Sequence, residues 1–191
     1  ALEAHRAVGG LPTYLRERWN TPDGDFIDVD YLQRSVPNDS EALTDALRSS
    51  DQTSTPTPLL VLFHGLEGSS ASHYAHAFGD FARTHQMGFA VPHFRGCSGE
   101  LNRGPRSLGG NALLRWAEEM GASAASVVDA VAAVSSPLDL AAGGHAIGQG
   151  FNRLVYTRMF LNTMKPKALR KLEQHPGLFD REALVNAKDL Y

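Results

Sequence analysis

The first clear pattern in the sequence is a pair of apolar, β-prone runs, one around Trp19 and one at Phe26–Tyr31. They are separated by Thr-Pro-Asp-Gly-Asp, which places proline and glycine where a tight chain reversal needs them. The two runs therefore predict a β-hairpin. Asp28 and Asp30 alternate with apolar residues in the second run, a period that indicates a strand with one solvent-exposed face.

The middle of the chain shows a strand, helix, strand pattern. Leu59–Phe63 is a short continuous apolar run, typical of a strand buried on both faces of a parallel sheet. Ser72–Thr84 repeats apolar positions at helical spacing, and Phe89–Pro92 follows as another strand. Such a βαβ unit implies parallel pairing within a layered α/β domain. The preceding stretch Pro37–Pro58 predicts a surface loop with one short helix at Glu41–Arg48.

The second half of the chain is mostly helical in pattern. Asn111–Met120 is a strong helix former, and Gly121 is placed as its C-terminal stop. Val127–Val134 is apolar and β-branched, which predicts a further buried strand. From Leu140 to Lys171 the spacing of apolar residues indicates helices interrupted by glycines.

Composition narrows the class of protein. The 191 residues include 18 Lys+Arg against 21 Asp+Glu, a formal net charge of −3, and 42% are hydrophobic, as in one soluble globular domain. A slightly acidic chain lacks the basic stripe of a nucleic-acid-binding protein, and no apolar run reaches the ~20 residues that cross a bilayer. The N-terminus shows no export leader, and a lone cysteine, Cys97, fits a reducing compartment. We therefore expect a cytoplasmic protein with neither a nucleic-acid partner nor a transmembrane segment.

Three glycine-bearing segments stand beside the predicted strands and helices. His64–Gly68 and His93–Gly99 follow the two strands of the βαβ unit, and Ser107–Asn111 leads into a helix. Glycine allows a sharp bend that exposes backbone N–H groups, as stabilisation of an oxyanion requires. A serine that precedes a helix suits a nucleophile, although Ser107 alone is equally typical of a helix cap, and each segment alone of a structural turn. Together the three segments match the way an α/β-hydrolase builds its site.

Other reactive residue types have simpler explanations. The sequence places no orienting histidine for Cys97, so we interpret it as a packed structural cysteine. His64 and His93 each stand at a strand end, but two histidines without acidic or cysteine partners at ligand spacing are a weak metal signal. The aromatic run Phe151–Phe160 is compatible with an acyl pocket and with the buried face of a helix.

Four segments resemble the YheT-like α/β-hydrolases, a family similar to the mammalian abhydrolase-domain proteins one to three. They are HGLEGSS (His64–Ser70), HFRGCSGELNR (His93–Arg103), SLGGNALLRW (Ser107–Trp116) and SSPLDL…GFNRLVYTRMFL (Ser135–Leu161). The resemblance implies an α/β-hydrolase fold, with a mostly parallel central sheet and helices on both of its faces. It also implies a single domain over residues 1–191, with a helical cap at 140–175.

The same resemblance implies a reaction and the residues that perform it. The reaction is hydrolysis of carboxylic esters, of lipids or of other acyl compounds, through an acyl-serine intermediate and without a metal or a cofactor. Ser107 matches the nucleophile, and the N–H groups of Leu66 and Leu108 match the oxyanion donors. The supporting turns are matched by His64, Gly65, Gly109 and Gly110.

The sequence departs from the family pattern just before the nucleophile. Pro105 stands where the family has glycine, and the residues before Ser107 cannot form the buried strand that a nucleophile elbow needs. Two explanations are open, a segment missing between about Arg106 and Leu108 or a degenerate variant of the family. We favour the missing segment, because loss of a central strand would leave the apolar faces of its neighbours without partners. Ser107 can belong to either side of that junction.

A hydrolase of this fold also needs an acid and a histidine after the serine. The histidines that follow Ser107 are His145 and His175, each within or at the end of a helical stretch, and both are interpreted as structural. The family's catalytic Asp and His come later than Tyr191. We therefore expect the C-terminal part to be missing and the 191-residue chain alone to be inactive, because its serine has no base.

Two further functions stay open at this point. The same fold and pocket suit a non-catalytic acyl-binding or scaffolding protein that has lost the triad. The same residues suit an acyltransferase, which passes the acyl group to an acceptor other than water. The natural substrate and the oligomeric state do not follow from the sequence, and a lipid ester would fit association with a membrane surface.

Overall fold

The computed structural model describes residues 12–33, 57–105, 112–133 and 139–189. Its strands are β1 (Tyr14–Asn20), β2 (Phe26–Leu32), β3 (Leu59–Val61) and β4 (Gly88–Pro92). Its α-helices are α1 (His73–Thr84), α2 (Ala112–Met120), α3 (Leu140–Ile147), α4 (Gly150–Asn152), α5 (Arg158–Gln174) and α6 (Arg181–Asn186). A 3₁₀-helix at Gly121–Ser126 follows α2, and a π-helix at Arg153–Thr157 joins α4 to α5.

The chain forms two compact units. Within the described ranges, the first unit holds residues 12–19, 28–33, 57–64 and 69–93. The second unit holds residues 20–27, 65–68, 94–105, 112–133 and 139–189. Most of the sheet and α1 therefore lie in the first unit, and the remaining helices lie in the second.

The four strands form one sheet in the order β1-β2-β4-β3. β2 and β4 are antiparallel, with Asp30 opposite Val91, whereas β3 and β4 are parallel. The predicted hairpin is confirmed, since β1 and β2 are neighbours joined by a short turn in which Gly24 takes a φ of +77°. The βαβ unit is also confirmed, because α1 connects the parallel strands β3 and β4. The protein is therefore of the mixed α/β class.

The core of the first unit lies between the sheet and α1. Ala75, Gly79 and Ala82 recur at helical spacing and form the buried face of α1. Ala82 packs in one buried cluster with Phe89 and Val91 of β4. The small residues on α1 allow the helix to approach the larger side chains of the sheet.

The solvent-exposed face predicted for β2 is wrong. Asp28 and Asp30 are both only 2% exposed. Arg18 of β1 donates to both carboxylate oxygens of Asp28, and Arg16 does the same for Asp30, at 2.6 to 3.1 Å. Paired guanidinium groups offset much of the cost of burying a carboxylate. A period of two cannot distinguish a solvated face from a face of paired charges.

Two apolar runs are less buried than their composition predicts. Leu59 and Val61 of β3 are 57% and 40% exposed, because β3 ends the strand order and no described strand lies beyond it. The strand predicted at Val127–Val134 is wrong over its described part, where residues 127–133 are irregular and Val127 is exposed. An apolar run forms a strand only where a neighbour pairs its backbone groups, and no described strand pairs with this run.

The helices of the second unit agree with the sequence pattern. α2 ends at Met120, and Gly121 takes a φ of +52°. The helical pieces predicted from Leu140 are confirmed as α3, α4 and α5, and Asp139 caps α3 by accepting a hydrogen bond from the Ala142 N–H. None of the helices in the described ranges is long and apolar enough to cross a membrane.

Some expectations stay predictions. The short helix at Glu41–Arg48 lies outside the described residues. The mostly parallel sheet of an α/β-hydrolase stays a prediction, because β3 and β4 are the one parallel pair between the strands described above. The single domain and the helical cap at 140–175 likewise stay predictions.

Candidate active site

The turn at residues 65–68 is the described part of the predicted oxyanion hole. The Gly68 N–H closes it by donating to the Gly65 carbonyl at 2.9 Å. Glu67 takes a φ of +58°, the conformation that a type II turn needs at its third position. Leu66 is half-exposed, and its N–H donates to no described residue. Within the described part of the chain the Leu66 N–H is thus a donor without an acceptor, as an oxyanion donor requires before the substrate binds.

An ion pair holds the side chain of Glu67. Lys167 of α5 places its Nζ 2.5 Å from Glu67 Oε2. The two side chains are 36% and 18% exposed, so the pair is partly shielded from solvent and from screening by salt. Helix α5 is therefore attached directly to the turn that carries Leu66.

Helix α5 also contacts the segment that leads towards the predicted nucleophile. Lys171 is buried, and its Nζ donates to the backbone carbonyls of Asn102 and Gly104, the second at 2.7 Å. Burial lowers the pKa of Lys171 from its usual value. At the end of α5, His175 Nε2 donates to the Arg103 carbonyl at 2.7 Å. The carbonyls of three consecutive residues thus accept hydrogen bonds from one helix.

A buried polar network fixes the same segment from its other side. Asn102 Nδ2 donates to Asp25 Oδ1 at 3.0 Å and to the Phe26 carbonyl at 2.6 Å. The N–H groups of Arg103 and Gly104 donate to the Asp25 carboxylate at 2.9 Å each. Burial by itself raises the pKa of Asp25, but these hydrogen bonds outweigh it and lower the pKa to about 2. Asp25 is therefore an ionised acceptor at neutral pH.

The second unit also forms a cleft of about 200 Å³. Its apolar lining comes from Leu101, Pro105, Met164, Ala168 and Phe179. Glu67 and Lys167, paired with each other, line it as well. Glu67 follows Leu66 in the chain, and Pro105 precedes Ser107 by two residues. The lining therefore includes close sequence neighbours of two predicted site residues.

The first unit buries a separate polar cluster around Asp30. Ser70 Oγ donates to Asp30 Oδ2 at 2.6 Å, His93 Nε2 lies 2.8 Å from the same oxygen, and Arg16 pairs with the carboxylate. Burial raises the pKa of Asp30, but the hydrogen bonds from Arg16, Ser70 and His93 outweigh it and hold that pKa well below its usual range. Ser70 and His93 each bond to Asp30 and not to one another, so the cluster lacks the arrangement of a catalytic triad.

The two histidines at strand ends lie near each other. The ring centroids of His64 and His93 are 5.7 Å apart, and both side chains are buried. Among the residues that the structure describes, no group of three His, Cys, Asp or Glu side chains could hold a metal ion. Cys97 is half-buried, and burial raises the pKa of its thiol, as is typical of an unreactive cysteine.

The structure describes only part of the predicted site. His64, Gly65 and Leu66 lie on or just before the 65–68 turn. Ser107, Leu108, Gly109 and Gly110 lie outside the described residues. His145 lies in α3, 2.6 Å from Gln149 one turn later, and His175 contacts the Arg103 carbonyl. The first contact lies within one helical turn, whereas the second joins residues 72 positions apart. The structural role of both histidines stays a prediction.

Sequence reasoning missed the side chains that anchor these loops. It predicts only a turn at Asp25 and assigns nothing to Asn102, Lys167 or Lys171. One signal was present, since Lys167 and Lys171 are four residues apart in a helical run and so share a face. The sequence does not show what that face contacts.

Comparison with known proteins supports the family resemblance. The chain is 34% identical over 192 residues to the Escherichia coli (strain K12) protein named "Putative esterase YheT". The chain resembles a YheT-like esterase. The match covers 84% of this chain and 51% of that protein, so the chain spans about half the length of the curated relative it matches. No family model and no solved structure matches the chain.

Proposed function

We propose that this protein is a serine hydrolase of carboxylic esters with an α/β-hydrolase fold. The observation that carries the proposal is the similarity to the Escherichia coli protein named "Putative esterase YheT". The 65–68 turn supports it, because Leu66 has an unengaged N–H after a strand of a βαβ unit, where such enzymes build part of their oxyanion hole. Since the chain spans about half of that relative, the activity proposed is that of the whole protein.

In the proposed reaction, Ser107 attacks the carbonyl carbon of the ester. Its Oγ bonds to that carbon while a histidine takes the hydroxyl proton, and a carboxylate orients the histidine. The tetrahedral intermediate then collapses, and the alcohol leaves with the proton that the histidine held. Water adds to the acyl-serine by the same route, which releases the carboxylic acid and restores the serine. No described residue is assigned as the histidine base or its carboxylate.

The N–H groups of Leu66 and Leu108 are the proposed oxyanion donors. The negative oxygen exists only in the tetrahedral states, so each donor would lower the barrier by roughly 3–4 kcal/mol. A β-carbon at Gly65 would meet no described atom within 4 Å. The space beside the turn is therefore open to an incoming carbonyl group.

The apolar cleft is the proposed site for the acyl chain. Its apolar side chains exclude water from a hydrocarbon chain, and its lining includes Glu67, which follows Leu66 in the chain. An apolar cavity of ~150 Å³ accommodates benzene, so a cleft of about 200 Å³ suits an acyl chain of roughly six to eight carbons. An aliphatic acyl ester, whether or not its alcohol part belongs to a lipid, is the proposed substrate class.

The test uses the full-length native protein, a fluorophosphonate probe and p-nitrophenyl esters. The probe should label the wild type, and Ser107→Ala should abolish both labelling and ester turnover. Ser126→Ala is a matched control, because Ser126 lies in the exposed 3₁₀-helix and donates to the Ser123 carbonyl. It should label and turn over like the wild type.

Three results would overturn parts of this proposal. Labelling that persists in Ser107→Ala would show that another residue is the nucleophile. A wild type that binds an acyl ester but is neither labelled nor active would indicate the non-catalytic acyl-binding protein instead. Transfer of the acyl group to an added alcohol in preference to water would indicate an acyltransferase.

A further inference from the structure

Three basic side chains stand four residues apart, with Lys167 and Lys171 on α5 and His175 directly after its last residue. Residues at i, i+4 and i+8 share one face of a helix, and we name these three the basic stripe. At one end the stripe contacts Glu67, and further along it contacts the carbonyls of residues 102–104. It is therefore attached to the turn that carries Leu66 and to the segment that leads to the predicted nucleophile.

Glu67 has a backbone conformation that residues with a side chain rarely adopt. At a φ of +58° its β-carbon crowds the following carbonyl, and such a conformation persists only where the surroundings enforce it. The turn itself supplies one hydrogen bond, from Gly68 to Gly65. Among the described residues, the ion pair with Lys167 is what holds the Glu67 side chain.

The direction of the Leu66 N–H depends on this conformation. Leu66 and Glu67 are the two central residues of the turn, so a change in the Glu67 φ breaks the hydrogen bond that closes the turn, from Gly68 to Gly65. The Gly65–Leu66 peptide group, which carries the Leu66 N–H, is then free to rotate. A hydrogen bond weakens steeply once its angle departs far from linear, and an oxyanion donor must sit 2.7–3.1 Å from where the charged oxygen develops. A small reorientation of the turn is enough to lose that bond.

We propose that Lys167 is a positioning residue which, through Glu67, aims the Leu66 N–H at the oxyanion. The inference rests on the proposed function, in which Leu66 is a donor. Lys167 does not touch the reacting atoms in this proposal. It acts on the transition state alone, because the carbonyl oxygen becomes negative only there, and the ground-state ester needs the donor much less.

The experiment measures kcat and KM separately for p-nitrophenyl acetate, whose acyl group is too short to fill the apolar cleft, in the full-length protein. Lys167→Met removes the charge and keeps an unbranched side chain, Glu67→Gln removes the partner charge, and Lys167→Arg conserves the ion pair. Lys165→Met is the matched control, since Lys165 lies on the same helix and donates to the Val185 carbonyl instead. The midpoint of thermal unfolding is recorded for every variant.

Lys167→Met and Glu67→Gln should each lower kcat by about ten-fold to a hundred-fold, less than the loss of a whole oxyanion donor. KM should stay within about two-fold, because the acetyl group gains little binding from the cleft that Lys167 and Glu67 line. The double variant should be no worse than either single one, since both break the same contact. Lys167→Arg should recover most of the rate, and Lys165→Met should match the wild type in both constants.

Several outcomes would overturn the inference. If the wild type is active, Ser107→Ala is inactive and Lys167→Met keeps its full kcat, the positioning role is wrong while the esterase stands. If the losses lie in KM, or if they follow a lowered unfolding temperature that Lys167→Arg does not restore, Lys167 is merely structural. A wild type without esterase activity would remove the proposed function and this inference together.

Discussion

Asn102 Nδ2 donates a hydrogen bond to the Asp25 carboxylate at 3.0 Å, although the two residues are 77 positions apart in the chain. Both side chains are 2% exposed. The bond joins the hairpin turn to the segment before the predicted nucleophile. Removal of either partner would leave buried polar groups of the other side without hydrogen bonds.

Asn102→Ala should lower the free energy of unfolding by roughly 2–4 kcal/mol, because several buried groups lose their partner at once. Those groups include the Gly96 N–H, which donates to Asn102 Oδ1 at 2.6 Å. Urea unfolding measures the effect. Asn152→Ala is the control, since Asn152 is exposed and makes one long hydrogen bond of 3.4 Å. Equal stability losses in the two variants would contradict the assigned role.

Stability should fall in acid because of Asp25. Its folded pKa is about 2 against an ordinary value of 3.8, so the ionised carboxylate stabilises the fold by about 2 kcal/mol. A depressed folded pKa means that this contribution is present above about pH 4 and is lost as the pH falls to about 2. The free energy of unfolding, measured at several values between pH 6 and pH 2, should therefore fall more steeply with decreasing pH in the wild type than in Asp25→Asn. Identical pH slopes would rule out Asp25 as a source of the effect.

Two ion pairs of the first unit should differ greatly in their contribution to the free energy of unfolding. Asp30→Ala should destabilise the protein by roughly 2–4 kcal/mol, because it removes the acceptor of the buried His93 and Ser70 side chains and one partner of the partly exposed Arg16. Asp80→Ala breaks an exposed helix pair with Arg83 at 2.6 Å and should cost less than about 1 kcal/mol. Chemical denaturation compares the two. A large loss from Asp80→Ala with a small one from Asp30→Ala would contradict the burial argument.

The acyl cleft predicts a change in chain-length preference. Ala168→Leu should fill part of the cleft and lower kcat/KM for the octanoyl ester by about ten-fold or more, while the butanoyl ester is little affected. The measurement is kcat/KM across p-nitrophenyl esters of increasing acyl length. Ala141→Leu on exposed α3 is the control and should keep the wild-type profile. A uniform loss for every ester would place the acyl chain elsewhere.

Much of the fold follows from periodicity because local patterns determine local structure. The extent of α1 and the end of α2 before Gly121 both follow from the sequence pattern. Predictions from the spacing of apolar residues were wrong where burial depends on contacts with residues far away in the sequence. Asp28 is buried because Arg18 reaches it from the neighbouring strand, and Val127 remains exposed because no described strand lies beside it. Neither the burial of Asp28 nor the exposure of Val127 can be predicted from the local sequence alone.

The candidate site shows the same division. Glycine spacing after a strand predicted a sharp turn at Gly65, and the structure has one. The contacts around that turn could not be predicted, since Lys167 lies 100 residues from Glu67 along the chain. The sequence shows that both residues are charged. Whether they form an ion pair depends on how α5 packs, which neither composition nor the spacing of apolar residues determines.

The spacing of the basic stripe has a consequence for the length of the chain. An α-helix rises 1.5 Å per residue, so Lys167 and Lys171 are separated by about 6 Å along the axis of α5. The helix thus sets the distance between two loops that carry or approach predicted site residues. Insertion of one residue between Lys167 and Lys171 would turn every later contact by about 100° around the axis, away from its carbonyl. The insertion or deletion of a single residue within this helix would therefore disturb more contacts than the exchange of any one of its side chains.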